Sequence, residues 1–489
     1  MLRPLQSDQL ERHHEAAVTR RHRWATEAMR EYASILVSFL FHLVLMLVLA
    51  LLMVQRGAGP GLGPVDIDAI PQQELDVTAH LEMAGDLDSQ LVGPTATLFH
   101  TNPHQIPSPL AGAPAAKPLQ QIDSWRRDGK ILAQPIALPT GGGLGGRRPE
   151  NRRQLALGSG GTQQSENAVE LGLYWVALHQ RQNGSWAMHF EGSAECRGAC
   201  RNHPMEDIES PTAATGLALL SFLGAGYTHQ NGKYQQPIER GIYFLRENQL
   251  DNGSFRGSGS FPMYGHGIAT LALCEAIRMT QDRDLRPIAQ RAVNFIVNAQ
   301  HREGGWRYNP KEAGDVTVTS WQYMALYSAE KAGLDVPSTT RFDANRFLDR
   351  VQTEQGAYYG YMSPGADPSP TAMALLCRMY SGWNLYDARL AKGVKMLEEI
   401  GPSPNDVYYN FYATQVMRHY ELGDWAGWNE KIREHLIATQ ARSGHETGSW
   451  FFTEKHALQA GRLYTTTLCV LTLEVYYRNL PLYGTVLTR

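Results

Sequence analysis

The sequence predicts an all-α protein: an (α/α)6 toroid of six helical hairpins, preceded by one transmembrane helix and a long disordered linker. Three observations lead to this prediction: an uncharged apolar run near the start, a Gly- and Pro-rich stretch after it, and a turn motif that recurs through residues 168–489. The composition, 43% hydrophobic and 19% charged, is that of a globular protein. The net charge of −3, without a basic stripe interleaved with aromatics, predicts no nucleic-acid partner.

The apolar run at residues 33–54 carries no charged side chain. As a helix it would be about 33 Å long, which is enough to cross the hydrocarbon core of a bilayer. A cleaved signal peptide fits less well, because the run is too long, its preceding tail is long and no A-x-A-like site follows. We therefore predict a transmembrane helix at residues 33–54.

The charges beside this run predict its orientation. Residues 1–32 carry six arginines, whereas residues 57–100 carry seven acidic residues and no Lys or Arg. Because Lys and Arg are retained on the cytoplasmic side, residues 1–32 should form a cytoplasmic basic tail. The rest of the chain should lie outside the cytoplasm, in a periplasm-like compartment, with the membrane as its partner.

Residues 55–167 have the composition of a flexible linker. Gly and Pro recur throughout this stretch, apolar periodicity is absent and aromatic residues are rare. Such a segment buries too little apolar surface to offset the entropy lost on ordering. We expect it to tether the following domain to the membrane.

The domain predicted at residues 168–489 is marked by a repeated turn, Gln-x-x-x-Gly-x-aromatic, at the end of a helix-like segment. The glutamine and aromatic of each clear copy are Gln180 and Trp186, Gln249 and Phe255, Gln300 and Trp306, and Gln352 and Tyr358. A stretched copy holds Gln440 and Trp450, and a degenerate one lies near Glu399. The first four glutamines are 69, 51 and 52 residues apart, which is the period of a helical-hairpin repeat.

A second, more apolar helix follows each turn. Ser, Thr or Asn near its start predicts an N-cap, and Gly near its end predicts a C-cap, as at Gly226, Gly333, Gly382 and Gly423. No single hairpin can bury such a helix alone. Six hairpins without a polar capping repeat favour a closed ring over an open solenoid.

The turns resemble the QW motif of squalene–hopene cyclases and the related repeats of protein prenyltransferase β subunits. Within this terpene cyclase and protein prenyltransferase superfamily, the chain looks most like bacterial membrane-anchored proteins that carry prenyltransferase or squalene-oxidase repeats. The resemblance implies an α/α barrel with a central cavity. It also implies that the turns are structural: the Gln bonds free backbone groups and the aromatic covers the neighbouring hairpin.

The catalytic motifs of the superfamily are not recognisable here. A class II cyclase protonates an alkene with Asp-x-Asp-Asp-Thr-Ala at the start of an inner helix. Aligned on Thr-Ala, residues 367–372 place Ser369 and Pro370 at the paired acids, and residues 207–213 place Ser210 and Pro211 there. The Asp, Cys and His that hold zinc in prenyltransferases are not found either. No cofactor is predicted.

Cys196 and Cys200 lie in the long loop after the first turn. In an oxidising compartment a local disulfide is the simplest expectation. The spacing to His189 and His203 also allows a zinc site, and free thiols are the third possibility. The other cysteines, Cys274, Cys377 and Cys469, fall within apolar helices, where a thiol acts as a small buried hydrophobe.

Polar and aromatic residues gather at the starts of the second helices, where a toroid opens its cavity. They are Glu209, Tyr264, His266, Asp315, Trp321, Asp406, Tyr408, Tyr409, Asn410 and Tyr464. We predict that they form a ligand-binding rim, although helix capping is an alternative role for each. Asp315 and His266 are the candidate catalytic residues.

We therefore expect a toroid that binds a ligand or partner in its cavity, with a lipid, an isoprenoid or a glycan as candidates. One alternative is a divergent isoprenoid- or lipid-modifying enzyme. A second is a carbohydrate-active enzyme, since (α/α)6 rings also host glycosidases.

Overall fold

Helices form nearly all of the regular structure in the computed structural model, which describes residues 143–204, 210–255 and 261–483. All of these residues belong to one unit, Thr97–Arg489. Within them, no helix is both long and apolar enough to cross a bilayer. The predicted span at residues 33–54 and most of the predicted linker lie outside the described residues.

The helices alternate between the outside and the inside of a ring. The outer helices are α2 (Gln163–Leu178), α4 (Gln235–Glu247), α6 (Arg286–Ala299), α8 (Ser338–Arg350), α10 (Ala388–Ile400) and α12 (Trp425–Thr439). The inner helices are α3 (Pro211–Gly224), α5 (Pro262–Thr280), α7 (Val316–Lys331), α9 (Pro368–Tyr380), α11 (Val407–His419) and α13 (Lys455–Leu473). Each outer helix and the inner helix that follows it form one of the six predicted hairpins.

Burial separates the two kinds of helix, as their sequences predict. The inner helix α5 is buried over nearly its whole length, from Met263 to Ile277. The outer helix α6 buries one stripe, which includes Ile288, Ala292 and Ile296, and exposes its opposite face. This spacing of four residues is that of an amphipathic helix with one side against a core.

The ring is closed. Neighbouring inner helices pack on one another in sequence order, and the last of them, α13, packs on both α3 and α2. At this seam the side-chain amide of Gln440 donates a hydrogen bond to Ala168 O at 2.8 Å. The predicted toroid is therefore confirmed, and an open arc of hairpins is excluded.

The folded unit begins earlier than predicted. A 3-10 helix (Gly145–Arg147) and α1 (Pro149–Gly158) lie in the segment expected to be linker, and both pack on α14 (Val475–Arg478). Arg147 is buried there and its Nε donates to Arg478 O at 2.6 Å. The prediction of a linker is therefore wrong for residues 145–167. The reason is that Arg147 and α1 pack against segments that lie far away in the sequence.

The helix ends only partly follow the predicted caps. Gly226, Gly333 and Gly382 have φ of 90°, 68° and 95°, so these three expected glycine C-caps are present. The cap predicted at Gly423 is wrong, because α11 already ends at His419 and Gly423 does not have a positive φ. At the N-termini, acidic residues such as Asp315 accept the capping bond, whereas Ser210 makes no side-chain cap. The threonines near these starts instead accept hydrogen bonds from the turns that precede them.

Candidate functional site

Hydrogen bonds to both helices of the hairpin fix the three turns that end in tryptophan. In the third hairpin the indole Nε1 of Trp306 donates to Ile296 O at 2.8 Å, and its backbone N–H donates to Thr319 Oγ1 at 3.0 Å. The same pair of bonds recurs at Trp186 and at Trp450. The accepting threonine lies on the inner helix, in its first two turns at Thr215 and Thr319 and after the break at Gly461 in α13, so each turn sets the rotation of that helix.

In the second hairpin a histidine replaces this threonine. His266 Nδ1 accepts the backbone N–H of Phe255 at 3.2 Å, and Nε2 donates to Ala292 O at 3.0 Å. His266 is buried, and this burial lowers its pKa to about 4. The prediction of His266 as a rim residue and catalytic candidate is therefore wrong, because both ring nitrogens face the turn and the outer helix.

The fourth turn differs from its predicted form by one residue. Tyr359, which is buried, donates its backbone N–H to Thr371 Oγ1 at 3.0 Å, whereas the predicted aromatic Tyr358 is half-buried. Gln352 pairs with Tyr359 across two short antiparallel strands, β1 (Gln352–Thr353) and β2 (Tyr358–Tyr359). Gln355 adopts a left-handed conformation with φ of 60°, which gives this turn a different path.

The fifth, degenerate hairpin uses an asparagine. Asn410 Oδ1 accepts the backbone N–H of Ser403 at 2.9 Å, and Asn410 Nδ2 donates to Ser403 O at 2.8 Å. Each hairpin thus has one inner-helix residue that binds its preceding turn, and we call these residues the anchors. The anchors are Thr215, His266, Thr319, Thr371, Asn410 and Thr466.

The position two residues before each anchor lines a central cavity. These positions are Ala213, Tyr264, Thr317, Ser369, Tyr408 and Tyr464. The cavity has a volume of about 500 Å³, which lies within the range typical of small-molecule sites. Because the turns fix the anchors, they also fix which side chains point into the ring.

Aromatic rings and aliphatic side chains form most of the cavity wall. Trp321 Nε1 donates to Tyr408 Oη at 2.8 Å, and Trp321 stacks on Phe411 with ring centroids 5.7 Å apart. The hydroxyls of Tyr308 and Tyr361 lie 2.9 Å apart. The wall side chains make these contacts with one another, so the contacts hold the aromatic rings in place.

The sequence reasoning missed several wall residues. Met188, Tyr308 and Tyr361 line the cavity, and each lies two residues after a buried turn aromatic, namely Trp186, Trp306 and Tyr359. This constant offset was visible in the sequence for the first and third hairpins. Phe261, Lys455 and His456 also line the cavity, and no repeated spacing marks them.

The structure brings together part of the predicted rim. Tyr264, Trp321, Asp406, Tyr408 and Tyr464 line the cavity. The residues Asp315, Tyr409 and Asn410 do not, and these three predictions are corrected. Asp315 and Asn410 hydrogen-bond within their own hairpins, and Tyr409 packs on Trp428 of the next outer helix, α12. Glu209 lies outside the described residues.

Asp315 is buried behind the wall. It caps α7 by accepting the backbone N–H of Val318 at 2.8 Å and the hydroxyl of Thr317 at 2.6 Å. Burial raises the pKa of this carboxyl. Thr317 Oγ1 lies 2.6 Å from Tyr264 Oη, so a chain of hydrogen bonds leads from Asp315 to two wall residues.

The anchors also correct the alignment of the acid motif. Thr215, not Thr212, is the counterpart of Thr371, so the first hairpin places Ala213 and Ala214 where Ser369 and Pro370 lie in the fourth. Ser369 and Pro370 line the cavity, which confirms that these positions face it. Neither pair contains an acid.

Among the described wall residues, Asp406 carries the one carboxylate. Its oxygens accept the backbone N–H of Tyr409 at 2.8 Å and the hydroxyl of Ser369 at 3.2 Å. Lys455 and His456 lie on the same wall. The described part of the cavity is therefore mainly apolar, with one acid and a small group of polar side chains.

The two loop cysteines are free thiols in this structure, and their histidine neighbours differ from those expected. Cys196 and Cys200 cluster with His179 and His445. The predicted partners, His189 and His203, instead lie beside Glu191, with each Nδ1 3.8 Å from one of its carboxylate oxygens. The expected disulfide is absent, and the ligand set inferred from loop spacing alone is wrong because His445 comes from the last turn.

Comparison with known proteins relates part of this chain to one family. Residues 155–382 match the squalene-hopene cyclase C-terminal domain. A squalene–hopene cyclase of Bradyrhizobium diazoefficiens is 25% identical over 214 residues, which are 40% of this chain and 30% of that protein. A probable squalene–hopene cyclase of Sinorhizobium fredii is 26% identical over 219 residues, which are 40% of this chain and 31% of that protein. The matched region thus spans less than a third of each relative.

Two solved structures are similar to this chain over nearly two thirds of its length. A type II terpene cyclase from Scytonema has a TM-score of 0.45 at 10% identity, over 65% of this chain and 98% of that one. An α-1,6-mannanase of Salegentibacter also has a TM-score of 0.45, at 7% identity, over 64% of this chain and 99% of that one.

Proposed function

Since the described part of the chain is a terpene cyclase-like α/α toroid, we propose that its central cavity binds an apolar ligand of the isoprenoid or lipid class. The observation that carries the proposal is the aromatic wall at fixed positions relative to the anchors. Trp321, Tyr408 and their neighbours bury apolar surface and hold one another by hydrogen bonds and stacking. Such walls suit long apolar chains, which gain most of their binding free energy from burial.

The polar groups of the wall are compatible with ligand binding but do not supply the acid that standard cyclase chemistry needs. A class II cyclase needs a carboxylic acid that keeps a proton to donate, supported by a second carboxylate. The corresponding positions hold Ser369 and Pro370, and Asp406 already accepts two hydrogen bonds. The proposed toroid therefore holds its ligand and does not cyclise it by the standard route.

A divergent isoprenoid-modifying enzyme is the second candidate. The hydrogen-bond chain from Asp315 through Thr317 to Tyr264 favours it, because it links a buried carboxyl of raised pKa to the wall. A neutral carboxylic acid in that position could supply a proton to the cavity through the two hydroxyls. In this case Asp315 would be the acid, as the sequence suggested.

A carbohydrate-active enzyme finds less support. Glycosidases use two carboxyl groups about 5–10 Å apart on either side of the scissile bond. Asp406 alone supplies a carboxylate to the described wall, while Asp315 is fully buried. Binding of a glycan in place of a hydrocarbon would be the result that favours a carbohydrate-active enzyme.

We also propose that the toroid is anchored in a membrane by residues 33–54 and faces the cell envelope. The uncharged run and the arginines that precede it support this placement. Fractionation with membranes, together with protease sensitivity of the toroid from the outer side only, is the expected result. Recovery of the toroid on the arginine-rich side would contradict the orientation.

Retention of a hydrocarbon probe tests the proposed function. The full chain is purified in detergent, and retained radiolabelled squalene is compared with retained maltotriose. Ala213→Phe, which fills space at the cavity wall, should lower squalene retention at least about 10-fold. Phe342→Ala is the matched control, since Phe342 is 65% exposed on the outer helix α8.

Equal squalene retention by Ala213→Phe would overturn the proposed site, and retention of maltotriose alone would favour the carbohydrate alternative. Mass spectrometry of the extracted probe separates binding from catalysis. Unchanged squalene supports a binding toroid. Conversion that is lost in Asp315→Asn but kept in Phe342→Ala would instead support the divergent enzyme.

A further inference from the structure

Four potential metal ligands meet at the seam of the ring. They come from three separate segments: His179 follows the last turn of α2, Cys196 and Cys200 lie in the loop between α2 and α3, and His445 lies in the turn between α12 and α13. One ligand atom from each residue lies within 4.8 Å of all the others. His179 and both cysteines are buried, whereas His445 is exposed.

The distances in this cluster suit a tetrahedral ion. Cys200 Sγ lies 3.3 Å from His179 Nε2 and 3.3 Å from His445 Nδ1. Zinc bonds of about 2.3 Å to sulfur and about 2.0 Å to nitrogen place tetrahedral ligands about 3.3–3.8 Å apart. The four atoms can therefore reach one ion with small side-chain adjustments.

The surroundings orient the ligands as in known zinc sites. His179 Nδ1 donates to Trp175 O at 2.6 Å, which leaves the lone pair of Nε2 facing the sulfur atoms. The ring of His179 stacks on Trp175 with centroids 3.8 Å apart. The backbone N–H of Cys200 donates to Cys196 Sγ at 3.4 Å, a bond that stabilises a thiolate.

We propose that His179, Cys196, Cys200 and His445 bind a zinc ion that fastens the first hairpin to the last. Two thiolates and two neutral imidazoles form a closed Cys2His2 set, which is typical of structural zinc and leaves no position for a substrate. Two thiolates also balance the charge of the ion, so the buried site is neutral overall. This role is independent of the ligand proposed for the central cavity.

The position of the site indicates that the ion would join the two ends of the ring. A ring of hairpins needs its two ends joined, and the seam already holds the bond from Gln440 to Ala168. Nearby, Arg201 N donates to Glu446 Oε1 at 3.1 Å, and Arg462 Nε donates to Arg201 O at 3.2 Å. Zinc would add coordination bonds between the same two segments and so lock the loop onto the last turn.

Metal analysis of the full-length protein tests the proposal. Purified wild-type protein, analysed by inductively coupled plasma mass spectrometry, should contain about one zinc per chain. Cys196→Ser and His445→Ala should each remove most of it. His203→Ala and Cys274→Ala are matched controls that should retain the zinc. His203→Ala alters the neighbouring cluster of His189, Glu191 and His203, and Cys274→Ala removes a buried thiol of an inner helix.

A second measurement avoids dependence on variants that fail to fold. Wild-type protein is stripped with a chelator and reloaded with cobalt(II), whose visible spectrum reports tetrahedral binding by thiolates. The chelated protein should lose thermal stability and recover it on addition of zinc. A Cys196–Cys200 disulfide in the purified protein, wild-type protein without zinc, or loss of zinc in His203→Ala would each overturn the assignment.

Discussion

His266 shows how one residue can keep the role of a repeat while changing its chemistry. Four hairpins use a threonine hydroxyl to accept the N–H of a turn residue, and the second uses an imidazole nitrogen instead. The larger ring also reaches Ala292 O on the outer helix, which the threonine hydroxyls do not do. The histidine therefore donates to the outer helix where the threonines donate back to the turn carbonyl, and it introduces a titratable group into the core.

The first prediction concerns pH. The pKa of His266 is about 4 in the folded protein, below its ordinary value of 6.5, so the unfolded chain binds the proton more readily. The stabilising contribution of neutral His266 is complete above pH 6.5 and is lost as the pH falls towards 4. Denaturant titrations of His266→Thr should show a shallower loss of stability between pH 7 and 4.5 than wild type.

His419 is also buried, and burial lowers its pKa to about 3, so part of the acid sensitivity should persist in His266→Thr. His456→Thr is the control, because His456 lies at the cavity wall and not in the core. An unchanged pH profile in His266→Thr would show that His266 is not a titrating core residue.

At the scale of the element, the glutamines of four turns, Gln180, Gln249, Gln300 and Gln440, join their own hairpin to the next one. The amide of Gln300 donates to Gly304 O within the turn at 2.7 Å and to Thr340 O on α8 at 2.8 Å. Gly304 has φ of 96°, and a Cβ there would lie 1.9 Å from Asp343 O. The turn therefore combines two donated bonds with a close backbone approach that requires glycine.

The second prediction compares two turn glutamines. Gln300→Ala leaves two carbonyl groups without their donor and should lower the free energy of unfolding by about 1–3 kcal/mol. In the fourth turn Gln352 belongs to a short strand, and its side chain makes no hydrogen bond to any other described residue. Gln352→Ala should therefore change stability by less than about 0.5 kcal/mol in the same urea titration. Equal losses would contradict the assigned role of Gln300.

At the scale of the whole molecule, a buried ion pair joins the segment before the ring to the end of the inner helix α5. Arg147 Nη1 lies 2.7 Å from Glu275 Oε2, and both side chains are almost fully buried. Arg147 also donates to Leu223 O at 3.3 Å, so it contacts α3, α5 and α14. Burial opposes the ionised form of Glu275, but the Arg147 guanidinium outweighs it and lowers the pKa of that carboxyl.

The third prediction follows from this burial. Arg147→Met leaves the Glu275 carboxylate unpaired in the core and should cost about 3–5 kcal/mol of stability. The double variant Arg147→Met/Glu275→Leu should recover most of this loss, because apolar replacement of a buried pair is often neutral. Lys392→Ala, which removes an exposed pair with Glu354, should cost much less. A similar loss in Arg147→Met and Lys392→Ala would show that the buried pair is not required.

The repeat period and the contrast between apolar and amphipathic helices were enough to predict six hairpins and their closure. Both are local or periodic properties, and a buried helix must find neighbours whatever the details of its contacts. The same reasoning predicted the C-cap glycines and four aromatic wall residues, Tyr264, Trp321, Tyr408 and Tyr464.

Tertiary structure alone decided which side chains face the cavity and which face their own turn. His266 and Tyr264 are two residues apart on one helix, yet one binds the turn and the other lines the cavity. Likewise, His445 reaches Cys200 across 245 residues of sequence. The sequence by itself determined the hairpins, because their pattern repeats along the chain, whereas helix rotation and contacts at the seam depend on packing between distant segments.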